Sequence, residues 1–307
     1  MKRYTLIPCL ALCGALLVPT LSQAAQAPAS QAPPAPQGPP ATQHPMVSCT
    51  RGGLQHAVNL YLAAQAKGDI SELPLANGLG YQENMQAVDV KTSFLTKPLA
   101  ITKSMSIFDQ DSCQSFTEII VTNKAEPYVA GVRMRVNHEK IAEIEVIWTT
   151  TGYWLFNADA YVEHSSVEDW GPIAPEKRDS RATLVKAANA YLDAFLEGKI
   201  DLVPWGFPCV RIEGGMYTGR GKASDSCEAG VPAGVNIANR RFVVDEVTGS
   251  VLALCTFGAG GPNGGSGAPD SHLFHVENGK LRYVHTLTHL LQSSFRGNAP
   301  PPPPAKK

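Results

Sequence analysis

Two stretches of the chain share one rhythm of apolar and polar positions. In "LQHAVNLYLAAQAKGDISELP", starting at Leu54, and "LVKAANAYLDAFLEGKIDLVP", starting at Leu184, apolar residues recur about every 3.6 positions, as on one face of a helix. Each stretch closes on a glycine, Gly68 or Gly198, suited to the left-handed conformation at a helix C-terminus. At a constant offset of 130 the pairs Leu54/Leu184, Ala57/Ala187, Asn59/Asn189, Tyr61/Tyr191, Leu62/Leu192, Gly68/Gly198, Ile70/Ile200 and Pro74/Pro204 coincide. The chain therefore contains an internal repeat.

Behind each helix the period changes to two. An extended stretch comes first, "YQENMQAVDV" or "VRIEGGMYTG", and then alternating runs rich in β-branched residues. These runs are "SFTEIIVTN", "YVAGVRMRV" and "IAEIEVIWT" in the first copy, and "RRFVVDEV", "SVLALCTFG", "SHLFHV" and "LRYVHTLTHLL" in the second. A helix followed by an antiparallel meander predicts an α+β roll, in which a curved sheet wraps the helix and leaves a conical pocket. Two tandem rolls are expected, at residues 48–164 and 182–293, joined by a connector at 165–181.

Near the last hairpin the offset grows to 140, pairing Lys140 with Lys280, and the loop "GAGGPNGGSG" accounts for most of the change. That loop does not read as a phosphate cradle. It lies between two strands, lacks the Lys-Ser/Thr ending and opens no helix.

The stretch "DSHLFHVENGKLRYVHTLTH" places four of the eight histidines around Asn278-Gly279, a strong two-residue turn signal. Regular pairing outward from Glu277 and Lys280 sets His275 against Arg282, Phe274 against Tyr283, and His272 against His285. One face then carries His272, Phe274, Val276, Leu281, Tyr283, His285 and Leu287. Two adjacent imidazoles on an apolar, aromatic face suit acid–base chemistry; they equally suit a hydrogen-bonded pair in a pocket wall. The first copy has Val132 and Glu145 at the matching positions, which favours the second copy as the active one.

Metal binding would need His289 and Asp270 to add a third ligand to the His272/His285 pair, and no metal or other cofactor is expected. In "CVRIEGGMYTG", Arg211 and Glu213 share a face, either as a structural ion pair or as an anion holder beside a proton acceptor. Glu83 is the first-copy counterpart of Glu213, and Tyr217 and Trp205 are placed at the pocket mouth. No "GxSxG", "HExxH" or CxxC pattern supports a hydrolase, zincin or thioredoxin reading.

Composition narrows the setting. The first 25 residues, with Lys2 and Arg3 before an apolar run and small residues at Ala24 and Ala25, read as a cleaved secretory leader. Leu12 before Cys13 and the continuing apolar run argue against lipid attachment there. Residues 26–47 read as a Pro/Ala-rich linker and residues 294–307 as a Pro-rich tail. Leader removal takes the net charge from −1 to −3, which leaves no basic excess for nucleic acid, and no later segment is long enough to span a membrane. Five cysteines remain, so an oxidising secreted or periplasmic setting predicts two disulfides and one thiol.

The blocks "SELPLANGLGYQENMQAVDV", "LTKPLAI", "TTTGYWLFNADAY", "PEKRDSRA", "PWGFPCVRIEGGMYTG", "GVPAGVNIANRRFVVDE" and "PDSHLFHVENGKLRYVHTLT" resemble a secreted, largely fungal domain-of-unknown-function family, number 8021. The resemblance runs from about Cys49 to Leu290 and implies bridges Cys49–Cys113 and Cys209–Cys227, with Cys255 free. Tyr153 stands where the family tends to have Asp, and the Gly-rich loop is longer here. The implied fold is similar to the nuclear transport factor 2-like roll, a superfamily of cofactor-free lyases, isomerases and pure binding domains. Together these features predict a cofactor-free lyase or isomerase acting on a hydrophobic, aromatic or oxygenated small molecule, with retro-aldol deformylation of a phenolic as one version. His272, His285, Glu213, Arg211 and Tyr217 would carry the chemistry, and Trp205, Phe274, Tyr283 and Asp270 would line the site. The alternative is a non-catalytic small-molecule-binding or envelope interaction protein.

Overall fold

The computed structural model describes residues 46–228, 231–260 and 265–294. The expected leader, all but the end of the linker, and all but the first residue of the tail lie outside these. Helix α1 (Arg51–Lys67) starts where Thr50 accepts a hydrogen bond from Gly53 N, and it stops at Gly68, with φ 67°. The first sheet comprises β1 (Leu75–Glu83), β2 (Gln86–Ala87), β3 (Lys103–Asp109), β4 (Gln114–Val121), β5 (Tyr128–Asn137) and β6 (Lys140–Thr149), in the order β2-β1-β6-β5-β4-β3. A short helix, α2 (Ala158–Ser165), leads to the second copy.

There α3 (Arg181–Glu197) is capped by Ser180 and ends at Gly198, with φ 66°. The second sheet holds β7 (Trp205–Glu213), β8 (Met216–Tyr217), β9 (Ile237–Asp245), β10 (Ser250–Phe257), β11 (Ala268–Glu277) and β12 (Lys280–Thr288), in the order β8-β7-β12-β11-β10-β9. The fold is α+β, with two curved, unclosed six-stranded sheets, as the repeat predicts. Among the described residues only β1/β6 and β7/β12 pair in parallel, since each helix-led copy returns its last strand beside its first.

Each sheet buries its own helix on one face. Leu54, Ala57, Val58 and Tyr61 fill the first interior, and Leu184, Ala188, Tyr191 and Phe195 the second. The opposite faces meet in a third core, where Phe116, Ile120 and Ile147 pack with Leu252, Leu254 and Leu273 around Tyr161 of α2. Polar contacts along this seam are reciprocal. Arg51 reaches Asp245 at 2.8 Å while Arg181 grips Asp109 at 2.7 and 2.8 Å; Phe108 N donates to Asp245 and Val244 N donates to Asp109, both at 3.0 Å. Contacts in which i meets j and the repeat partner of j meets that of i are those of a two-fold interface, here within one chain.

Disulfides join Cys49 to Cys113 and Cys209 to Cys227, and Cys255 is a buried free thiol. The bridges are compatible with an oxidising compartment. Among the described residues no helix is long and apolar enough to cross a membrane. The Gly-rich loop joins β10 to β11, strand to strand.

The hairpin corrects one expectation. Asn278 and Gly279 do form the turn, with φ 52° and 69°, and Glu277 faces Lys280. A bulge then intervenes: Val276 N donates to Gly249 O, Arg282 becomes an extra residue on β12, and pairing resumes with His275 against Tyr283. From there outward the register is shifted by one. His272 faces Thr286, and His285 faces Leu273 on the other side of the sheet.

Candidate functional site

The shift decides which predicted residues meet. On the helix-facing side of the second sheet, β10, β11 and β12 bring together Cys255, Asp270, His272, Thr286 and Thr288, all buried. Asp270 is directly opposite Cys255 on one neighbour and Thr288 on the other, so the ladder itself aligns three polar side chains in a row. Asp270 Oδ2 lies 3.0 Å from His272 Nδ1, and Thr288 donates to Asp270 Oδ1 at 2.9 Å. Cys255 Sγ is 3.6 Å from Asp270 Oδ2 and 3.9 Å from His272 Nδ1. Burial, followed by the Asp270 charge, pushes the Cys255 thiol well above its ordinary range, so it stays protonated.

Strand β7 adds the second polar group from the same side. Arg211, fully buried, donates to the Tyr191 hydroxyl at 3.1 Å and stands 3.3 Å from Glu213, whose other oxygen accepts from the Trp154 indole at 2.6 Å. Burial raises the Tyr191 hydroxyl pKa, with Arg211 opposing. Between Tyr191, Phe195, Glu213, Phe257, His272, Thr286 and Thr288 a cavity of about 10 Å³ remains, on the order of one water molecule. Thr286 Oγ1 is buried with no hydrogen-bond partner, and Glu213 keeps 21% of its side chain exposed.

His285, Tyr283 and Tyr217 do not join this site. His285 crosses the seam and is clamped by Glu118 of the first sheet at 2.8 Å and by Glu168 at 2.6 Å, while Tyr161 donates to Glu118 at 2.9 Å. Burial alone would lower the His285 pKa; the two carboxylates outweigh it and push it up to about 10. An imidazolium locked between two anions is a structural clamp, not a proton shuttle. Tyr283 stacks on His275 at 5.3 Å, and Tyr217 stacks on His164 at 4.1 Å. His289 donates its Nδ1–H to Trp148 O at 2.8 Å and leans on Tyr153, so the metal set built on His285 and His289 has no geometry to support it.

Trp205 and Phe274 are core rather than lining. The Trp205 indole donates to Ile200 O, and Phe274 backs His272 with near-parallel rings 5.9 Å apart. Sequence reasoning overlooked Cys255, Thr286 and Thr288 as a set. Their signal was the alternation in "CTF" and "HTLTH", which becomes readable only once the bulge is known.

No curated protein matches the chain. The model of a family described as Domain of unknown function (DUF8021) matches residues 177–288, the part of the chain that holds the polar cluster.

Proposed function

We propose that the second lobe is an acid–base site of a lyase or isomerase for a small oxygenated molecule. One observation carries this: His272 is held by Asp270 at 3.0 Å on the wall of a cavity that Glu213 also lines. An Nδ1–H directed at Asp270 leaves the Nε2 lone pair to take a proton, and Thr288 keeps the carboxylate from turning away. Glu213, steadied by Arg211 and Trp154, serves as the second proton-transfer group. A space of about 10 Å³ does not admit an aromatic ring, which argues for a reacting hydroxyl or carbonyl inside and the rest of the molecule beyond Glu213. The phenolic version expected from the sequence is narrowed accordingly.

The nearly filled cavity also favours the alternative, binding without turnover. A panel of small hydroxy and keto compounds, assayed by mass spectrometry and thermal shift, separates the two. Turnover that falls at least about 100-fold in His272→Gln and in Glu213→Gln supports the enzyme. Turnover unchanged in His272→Gln removes His272 from the chemistry, and a thermal shift without product assigns a binding protein.

A further inference from the structure

We propose that Cys255, Asp270 and His272 form a three-ligand binding site for a single divalent transition metal ion of the zinc class, beside the cavity that His272 lines. The proposal shares its location with the acid–base site and rests on that reading only for the role of Glu213.

The donor set comes first. A thiolate sulfur, an imidazole nitrogen and a carboxylate oxygen together suit zinc and its neighbours rather than magnesium or calcium, which take oxygen alone. Cys255 Sγ, Asp270 Oδ2 and His272 Nδ1 all lie within 4.8 Å of one another, and all three residues are buried. Their separations are 3.6, 3.9 and 3.0 Å. Ligands sharing a tetrahedral zinc, with bonds of about 2.0–2.3 Å, stand roughly 3.3–3.6 Å apart. The ion would replace the proton between Asp270 and His272, opening that pair by about 0.3 Å and drawing the sulfur in by a similar amount.

Two further observations point to a ligand. Thr288 occupies Asp270 Oδ1, which leaves Oδ2 free to coordinate; outer hydrogen bonds of this kind orient metal-binding carboxylates. Thr286 lies directly across from His272, and its hydroxyl, buried and without a partner, lines a cavity sized for about one water. Charge agrees as well: a thiolate and a carboxylate beside a neutral imidazole balance a divalent cation, whose binding displaces the Cys255 proton. In the loaded protein His272 is a ligand, and Glu213 is the group left on the cavity wall to move a proton.

The test uses the full chain, stripped with a chelator, kept with its disulfides intact and titrated with cobalt(II). A sulfur-to-cobalt charge-transfer band saturating at one ion per chain and displaced by zinc is the expected result. Cys255→Ala removes the band, which also separates this thiol from Cys9 and Cys13, and His272→Ala removes or greatly weakens it. Thr288→Val leaves every ligand in place and lowers affinity about 10–100-fold, so the test survives a Cys255 variant that fails to fold. Absence of the band in the wild-type chain with Cys255 confirmed as thiol overturns the proposal, as does a band that persists in a folded Cys255→Ala protein. The two readings fail separately. No band together with turnover that depends on His272 sinks the metal and leaves the acid–base site, whereas a band with no turnover in the compound panel does the reverse.

Discussion

The two lobes are built alike and filled differently. Ile119 faces Ala130 in the first sheet where Cys255 faces Asp270 in the second, and Val132 faces Val146 where His272 faces Thr286. Trp148 stands where the second lobe has Thr288, and its ring stacks on Phe94 at 5.9 Å to close the first interior. Even the shared carboxylate is used differently. Glu83 is consumed by Phe94 N and the Tyr81 hydroxyl, whereas Glu213 sits at a cavity beside a buried arginine. The first lobe shows that the scaffold closes with an apolar interior, so the polar set of the second is not a requirement of the fold. The seam, in contrast, is nearly symmetric in Arg51/Arg181 and Asp109/Asp245. Duplication kept the interface and let the interiors diverge.

The largest expected effect lies where the symmetry of the seam is broken by the His285 clamp. His285→Ala leaves the buried Glu118 and Glu168 facing each other without a cation and should cost about 3–5 kcal/mol in urea unfolding. Its pH dependence has a definite sign. With a folded pKa of about 10, against roughly 6.5 in an unfolded chain, the contribution is complete below about pH 6.5 and is lost as pH rises through 10. Equal wild-type stability at pH 7 and pH 10 would contradict the clamp.

Next in size are the two disulfides, which close loops of very different length. The Cys49–Cys113 bridge spans 64 residues and Cys209–Cys227 spans 18, so their removal as alanine pairs should cost about 4 and about 3 kcal/mol respectively. Calorimetry that ranks them the other way round would mean native-state packing, rather than loop closure, sets their value.

The sharpest form of the comparison is a transplant. Cys255→Ile, Asp270→Ala, His272→Val and Thr286→Val together give the second lobe the first lobe's residues at these four positions. The protein should fold with unchanged stability or gain about 1–4 kcal/mol, and lose cobalt binding and turnover together. Unfolding of this variant would show the cluster to be structural. Smallest is Thr288→Val, which removes one neutral-to-carboxylate hydrogen bond and should lower stability by about 1–2 kcal/mol, read from the denaturation midpoint.

Much of the architecture was legible in the chain. The helices announced themselves by period and by their closing glycines, and Asn278-Gly279 formed the turn its residues demand. Arg211 and Glu213 alternate onto one face as read, because β7 runs without a bulge between them. The same alternation failed on β12. A single extra residue reverses every side chain beyond it, so His285, Tyr283 and Leu287 moved away from His272, while Thr286 and Thr288 moved toward it. No residue in "NGKLRYVH" marks that bulge, which sits where Val276 N donates to Gly249 O, in the turn before β10.

The amino-acid order alone determined the repeat, the helix ends, the hairpin turn and the supply of cysteines, because each depends on local backbone preference or on composition. Tertiary structure alone decided which side chains meet across neighbouring strands and which charges meet across the seam. Cys255 reaches Asp270 through a hydrogen-bond ladder whose register local sequence does not encode, and Glu118 reaches His285 across the seam between two separate sheets.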